Sequence, residues 1–180
     1  MRTALPLIVL AACHAPTSED YLTAEVRVNQ ESVPLAALTF NAAASGDEEV
    51  PVRDTRARAT AIFHVGDDGT SIDYKLIVAN IDNVVASHIH LEAEGANGPI
   101  VVFLFGPASP AGGRVNGVLA EGTITSASLT GPMEGLTLAD LIAAIQAGNT
   151  YVNVHTNDGV DPINTGAGDF PGGEVRGQIH

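Results

Sequence analysis

The feature that most constrains the fold is a series of short segments in which apolar and polar residues alternate and which end at glycine, proline or acidic residues. Residues 57–65 alternate up to the sequence GDDG at 66–69, and residues 71–79 then resume the alternation. Since strand side chains point alternately to two faces, this pattern predicts a β-hairpin with one buried face. Further strands are predicted at 38–43, 86–91, 100–105, 114–120, 122–130, 151–156 and 174–180.

One segment, TLADLIAAIQAGN at 137–149, has a helical period instead. Thr137 stands in the position of an N-cap, and Gly148 follows the segment as a helix-ending glycine. The apolar residues that recur at helical spacing are Leu138, Leu141, Ile142 and Ile145. The chain is therefore predicted to be all-β, a β-sandwich with one short connecting helix at about 137–147.

Composition supports this class and limits the partners. The chain has 180 residues, 45% hydrophobic but only 4% aromatic, so its core must be mainly aliphatic. That length suits one domain with short appendages, and 19 glycines and 10 prolines supply turns. The formal net charge of −13 argues against nucleic acid or an anionic membrane surface as a partner.

The first 13 residues, MRTALPLIVLAAC, combine one positive charge with a short apolar run that ends at the single cysteine. The run is too short for a stable membrane span, so it indicates a signal peptide at 1–12. The residues that end at Cys13 resemble the lipobox of bacterial lipoproteins. That resemblance implies an acylated Cys13, a lipidated tether at 13–36 and a domain at 37–180. The alternative is an ordinary start whose cysteine happens to follow an apolar run.

A lipid anchor on Cys13 would make the membrane a partner and would place the domain in the cell envelope, on the periplasmic side or the outer surface. His14 follows the cysteine, where an aspartate would suggest retention at an inner membrane. The outer membrane is therefore favoured where the cell has one.

Several phrases of the sequence resemble, in order and spacing, the CHRD domain, a module named for its repeats in chordin. The resemblance covers about residues 37–180. It implies an immunoglobulin-like Greek-key β-sandwich or barrel in a secreted or surface setting, and it implies no single biochemical activity. The phrases are SGDEEVPV (45–52), ATAIFHVGDDGTSIDYKLIVANID (59–82), ASHIHLEAEGANGPIVV (86–102), AGNTYVNVHT (147–156) and PGGEVRGQI (171–179).

The sequence SHIH at 87–90 puts two histidines on one face of a strand, because residues i and i+2 point the same way. His88 and His90 are these residues, and His155 lies on a second alternating strand, YVNVHT. If the strands are neighbours, three imidazoles meet and could hold a transition metal with one open coordination position. Copper is the first choice, with iron or zinc as alternatives. His64 and His180 are candidates for a fourth ligand.

Three more polar residues are expected on the same face. Asn153 lies two residues before His155, and Glu174 and Arg176 alternate along GEVRGQIH. Asn153 or Glu174 would orient a ligand imidazole through its second nitrogen, and Glu174 is also a candidate fourth ligand. Arg176 would attract a small anion or oxidant to the metal.

This constellation is similar in outline to the site of the copper–zinc superoxide dismutases, which suggests a redox activity of that kind. The chain departs from those enzymes because its single cysteine cannot form an intrachain disulfide, and such an analogy is a weak basis for an activity. The expectation is an exported lipoprotein that binds a transition metal, with enzyme activity left open. The alternatives are metal storage, or a surface adhesion or protein-interaction module whose histidines are incidental or bonded to turns.

The glycine-rich loop at 156–173 contains Asp158, Asp161 and Asp169. Their spacing matches no EF-hand, so the loop is expected to be a solvated rim or lid of the polar face rather than a calcium site. The sequence contains no nucleophile elbow or phosphate-binding loop. It indicates neither a substrate nor an oligomeric state.

Overall fold

A computed structural model of the protein describes residues 38–180; the expected signal peptide, Cys13 and the tether lie outside these residues. This part contains eight strands and one α-helix, α1, Leu138–Gln146. The strands are β1 Thr39–Ser45, β2 Arg58–Val65, β3 Ile72–Asp82, β4 Val84–Leu91, β5 Ile100–Phe105, β6 Arg114–Ile124, β7 Thr150–Thr156 and β8 Val175–Gln178.

The strands form one antiparallel sheet in the order β5-β4-β7-β8-β1-β2-β3-β6. The sheet curls until the two ends approach each other. The Tyr74 hydroxyl of β3 donates a hydrogen bond of 2.6 Å to the Leu104 carbonyl of β5. The result is a nearly closed barrel, so the prediction of an all-β sandwich or barrel with one helix is confirmed.

Helix α1 begins where the sequence predicts. Thr137 caps it, because its hydroxyl accepts from the Asp140 backbone N–H while the Asp140 carboxylate accepts from the Thr137 backbone N–H. Its apolar side chains, Leu138, Leu141, Ile142 and Ile145, are buried in the core. No helix within residues 38–180 is long and apolar enough to cross a membrane.

The separate strands expected at 114–120 and 122–130 are wrong. The chain forms one strand, β6, up to Ile124, and then short 3-10 turns at Ser126–Ser128 and Gly131–Met133. Gly122 pairs with Tyr74 within this strand, and the Tyr74 ring occupies the space that a Cβ at position 122 would need. The hairpin of β2 and β3 is present as predicted.

Strands β4, β7 and β8 each have one core-facing side and one outward side. Ile89, Val152, Val154 and Val175 point into the aliphatic core. Pairing places His88 opposite Asn153, and Asn153 opposite Arg176. In the next row His90 lies opposite Tyr151, and Tyr151 opposite Gln178. The outward sides therefore merge, and we call the surface formed by these six residues and His155 the polar face.

Candidate metal centre

Three histidines of the polar face converge. Each of His88, His90 and His155 offers one ring nitrogen, and these atoms all lie within 4.8 Å of one another. The shortest contact joins Nδ1 of His88 and Nε2 of His155, which are 3.0 Å apart. The structure thus brings together the three residues that the sequence predicts as ligands, and the cluster could hold a metal ion.

The hydrogen bond of His90 fixes the tautomer of its neutral ring. Nδ1 of His90 lies 2.8 Å from the Gly98 carbonyl oxygen. Since a carbonyl only accepts, Nδ1 must carry the proton and Nε2 must carry the lone pair. Nε2 of His90 is buried and has no hydrogen-bond partner. Such an orphaned acceptor is costly in a folded protein and is the form that binds a metal.

His155 follows the same rule. Its Nδ1 donates to the Pro171 carbonyl over 2.8 Å, so the lone pair lies on Nε2, the atom that faces His88. Metal-bound imidazoles usually donate their second N–H to a carbonyl or carboxylate, which fixes the ring orientation. Two of the three rings are held in this way by backbone carbonyls, and the donor set therefore fits a transition metal.

Aromatic rings enclose the cluster. Phe103 packs edge-on against His88 with ring centroids 4.8 Å apart, and Tyr151 stacks on His90 at 4.8 Å with planes 10° apart. The exposed fractions of His88 and His90 are only 7% and 8%. Phe103 itself is exposed on strand β5.

Burial keeps these histidines neutral. It is the main cause that lowers the pKa of His88 to about 4, with smaller contributions from His155 and His90. Burial also lowers the pKa of His90 and of His155, although the hydrogen bonds to Gly98 and Pro171 act in the opposite direction. The cluster is therefore in its metal-binding, unprotonated form at neutral pH.

Arg176 is placed differently from the expectation. It is 1% exposed, and its guanidinium lies over the Tyr151 ring, 3.6 Å from the centroid. Its donors bind the carbonyls of Ala93 and Ala96 at 3.0 and 2.7 Å. Attraction of an anion from solvent is not favoured by this arrangement, because the group is covered and both of its terminal nitrogens donate to loop carbonyls. Arg176 instead holds the β4–β5 loop, residues 92–99, which carries Gly98.

Gln178 assists the same loop, a role that the sequence does not predict. Its side-chain amide donates to the Glu92 carbonyl at 2.9 Å and to the Gly148 carbonyl at 2.7 Å. The alternation of the two strands predicts Gln178 on the face of Arg176 and Tyr151 on the face of His155, but it does not predict their contacts. Phe103 becomes relevant only once β5 is known to pair with β4.

The expectation that Glu174 orients or ligates at the cluster is wrong. Its carboxylate is buried and accepts from the hydroxyls of Thr55 and Thr156 at 2.6 and 2.7 Å and from the Gly168 N–H at 2.8 Å. These bonds use both oxygens and tie the 156–173 loop to the barrel. Backbone carbonyls take the orienting role that was expected of Glu174.

Asn153 does lie beside the cluster. It is buried between His88 and Arg176 in the sheet register. Its side chain acts to raise the pKa of His90, against the larger lowering by burial. The oxygen Oδ1 of Asn153 is buried without a partner.

The structure does not bring the other two candidate fourth ligands, His64 and His180, into the cluster. His64 is exposed on β2, and its Nδ1 contacts the Thr39 hydroxyl at 3.0 Å. His180 is exposed, and its backbone pairs with Asn41 of β1. Among residues 38–180, no other histidine, cysteine or acidic residue joins the three-histidine group.

The 156–173 loop contributes a rim, as expected. Its Pro171 carbonyl binds His155, while the Asp169 carboxylate binds the backbone and hydroxyl of Thr165 at 2.9 Å. Within the described residues its aspartates form no metal-binding group.

The fold and the site define a β-barrel domain with a buried histidine cluster on its outward face. The chain belongs to the CHRD domain family, whose model matches residues 40–179. No curated protein and no solved structure gives a significant match to the chain.

Proposed function

We propose that this protein is an exported lipoprotein that binds one transition-metal ion, copper in the first place, through His88, His90 and His155. The observation that carries the proposal is the tautomer of two of these rings. His90 and His155 each commit Nδ1–H to a backbone carbonyl, which leaves Nε2 unprotonated inside the cluster. These two nitrogens and one nitrogen of His88 lie within 4.8 Å of one another, close enough to bind one cation together.

Copper is preferred on the chemistry of the donors. Imidazole suits copper, zinc, iron and nickel, and the affinity order of divalent first-row metals places copper at the top. Iron and zinc are the alternatives. The carboxylates that magnesium or calcium would need are not part of the cluster.

The setting of the proposal is the cell envelope, with the membrane as partner through acyl chains on Cys13. Its support is the apolar run that ends at that cysteine. Membrane fractionation of the wild-type chain and of Cys13→Ser tests it. Loss of the variant from the membrane fraction is expected, and equal membrane association of both would reject the anchor.

Binding and carriage of metal is the function favoured here over catalysis. Superoxide turnover by the bound metal was expected to depend on Arg176, and that side chain is covered and bound to loop carbonyls. A superoxide assay of the metal-loaded protein decides whether redox activity is to be added.

The test is the metal content of the full chain, purified without a histidine tag and loaded with copper. Mass spectrometry is expected to find about one copper per chain, lost when His88 and His90 are both changed to alanine. His64→Ala is the matched control, because His64 is exposed and outside the cluster. Equal metal in all three proteins, or none in any, would reject the site.

A further inference from the structure

We infer that the three-histidine site selects copper as Cu(I) over Cu(II) and Zn(II). This inference rests on the metal site proposed above and adds the oxidation state of the bound copper. A protein with this preference stores or hands over cuprous ion.

The first argument is charge. The three ligands are neutral imidazoles, and the side chains beside them include the rings of Phe103 and Tyr151 and the uncharged amide of Asn153. The carbonyls of Gly98 and Pro171 complete the hydrogen bonds of the cluster. No carboxylate belongs to this set, so a bound ion keeps its full charge. The cost of burying an ion rises with the square of its charge, which penalises a divalent ion far more than a monovalent one.

Two buried ionisable groups, Arg176 and Glu49, act electrostatically on Tyr151 and also bear on this argument. The Arg176 guanidinium, a fixed positive charge, stacks on the Tyr151 ring that also contacts His90. Glu49 is 4% exposed, and its carboxylate lies beside Gly173 and close to the Asn153 amide. Burial raises the pKa of Glu49 to about 7, so it supplies only part of a negative charge at neutral pH.

The second argument is coordination number. Within residues 38–180 the cluster offers three ligand residues and no fourth. Cu(II) prefers four ligands in a tetragonal arrangement, and Zn(II) with three histidines completes a tetrahedron with water or hydroxide. Cu(I) is stable with three nitrogen ligands alone. Phe103 covers His88 and Tyr151 covers His90, so that these two ligands are less than a tenth exposed. This cover opposes the entry of the water that Cu(II) or Zn(II) would need as a further ligand.

The experiment measures affinities of the full chain for Cu(I), Cu(II) and Zn(II) by competition with chelators of each ion. Bicinchoninate under anaerobic conditions with ascorbate serves for Cu(I). We expect Cu(I) to bind at least a hundredfold more tightly than Cu(II). For this one-electron couple, that ratio raises the reduction potential by about 120 mV relative to copper in solution.

A matched pair of variants tests the charge argument itself. Phe103 is 54% exposed on a strand edge and contacts His88, so a polar replacement there does not disturb the core. Phe103→Glu adds a carboxylate beside the metal, and Phe103→Gln adds a side chain of the same size without charge. The ratio of Cu(I) to Cu(II) affinity is expected to fall at least tenfold in Phe103→Glu compared with Phe103→Gln.

The outcomes separate the two proposals. Failure of the wild-type chain to bind any of the three ions more tightly than the His88→Ala, His90→Ala double variant would reject the metal site altogether. Tighter binding of Cu(II) or Zn(II) than of Cu(I) would leave the site in place and overturn the inference. Equal ratios in Phe103→Glu and Phe103→Gln would also overturn it, because charge would then not govern the selection.

Discussion

Nδ1 of His88 lies 3.0 Å from Nε2 of His155, although the two residues are on different strands. The proton of this contact belongs to His88, because Nε2 of His155 already carries the lone pair left by the bond to Pro171. In the metal-free protein His88 therefore acts as donor to its neighbour. For a metal to bind Nδ1 of His88, the proton must move from Nδ1 to Nε2 of the same ring. The ring then stays neutral, and no proton is released to solvent.

This arrangement predicts metal retention in mild acid. Protons compete with the metal at a pH near or below the pKa of each ligand; burial lowers the pKa of His88 to about 4 from its usual 6.5 and also lowers the pKa values of His90 and His155. Bound copper is expected to stay at pH 5.5 and to be released as the pH falls toward 4. Dialysis of the loaded protein across this range, followed by metal analysis, measures the midpoint. A release midpoint near pH 6.5 would contradict the conclusion that burial lowers the pKa values of these histidines.

Much of the polar face could be predicted from local sequence. The side chains of a strand repeat with a period of two, so SHIH alone places His88 and His90 together. The meeting with His155 depends on β4 pairing with β7, a contact between segments 67 residues apart. The sequence therefore leaves that pairing as a condition, because the alternation within a strand does not specify its neighbour in the sheet.

The errors concern contacts made by loops. The partners of Arg176 are carbonyls at 93 and 96, and a sequence pattern does not reveal where a carbonyl will point. Glu174 precedes the first residue of β8, so the alternation of that strand does not predict where its side chain points. Its carboxylate accepts a hydrogen bond from Gly168 of the 156–173 loop. In both cases a charged residue expected to act at the metal instead satisfies backbone donors or acceptors.

Arg176→Lys is expected to loosen the β4–β5 loop. A lysine keeps the charge but cannot bind the carbonyls of Ala93 and Ala96 with a planar fork while stacking on Tyr151. The loss of one or two buried hydrogen bonds should lower the free energy of unfolding by about 1–3 kcal/mol. Copper affinity should fall as well, since the loop carries the Gly98 carbonyl that orients His90. Urea unfolding and copper competition measure the two effects.

The control for this change is Arg114→Lys. Arg114 forms a solvent-exposed salt bridge of 2.9 Å with Asp82, far along the chain from the cluster. Its replacement should cost less than about 1 kcal/mol and should leave copper affinity unchanged. A folded Arg176→Lys protein with wild-type copper affinity would show that Arg176 does not position the ligand loop.

Glu49 makes the stability depend on pH in a defined direction. Burial is the main cause that raises its pKa from 4.5 to about 7, against the opposing effects of Arg176 and Arg53. The folded protein therefore binds a proton that the unfolded chain releases above pH 4.5. Stability from this group is present below pH 4.5 and is lost as the pH rises to about 7.

Glu49→Gln should remove this dependence. Relative to the wild type, the variant is expected to gain about 1–3 kcal/mol in the free energy of unfolding between pH 4.5 and pH 8. Urea unfolding at both pH values gives the difference. If the difference in the free energy of unfolding between wild type and variant is the same at pH 4.5 and pH 8, the pKa of Glu49 is not raised in the fold.

Gly173 is expected to be intolerant of a side chain. Its φ of 123° is a backbone conformation that other residues rarely adopt, and a Cβ there would overlap the Glu49 carboxylate and contact the Asn153 amide. Strain of this kind costs about 1–3 kcal/mol, so Gly173→Ala should lower the melting temperature by several degrees. Gly112→Ala is the control, because no atom lies within 4 Å of its added Cβ. Equal melting temperatures for the two variants would mean that Glu49 and Asn153 can move aside, and that the polar face is less rigid than its contacts require.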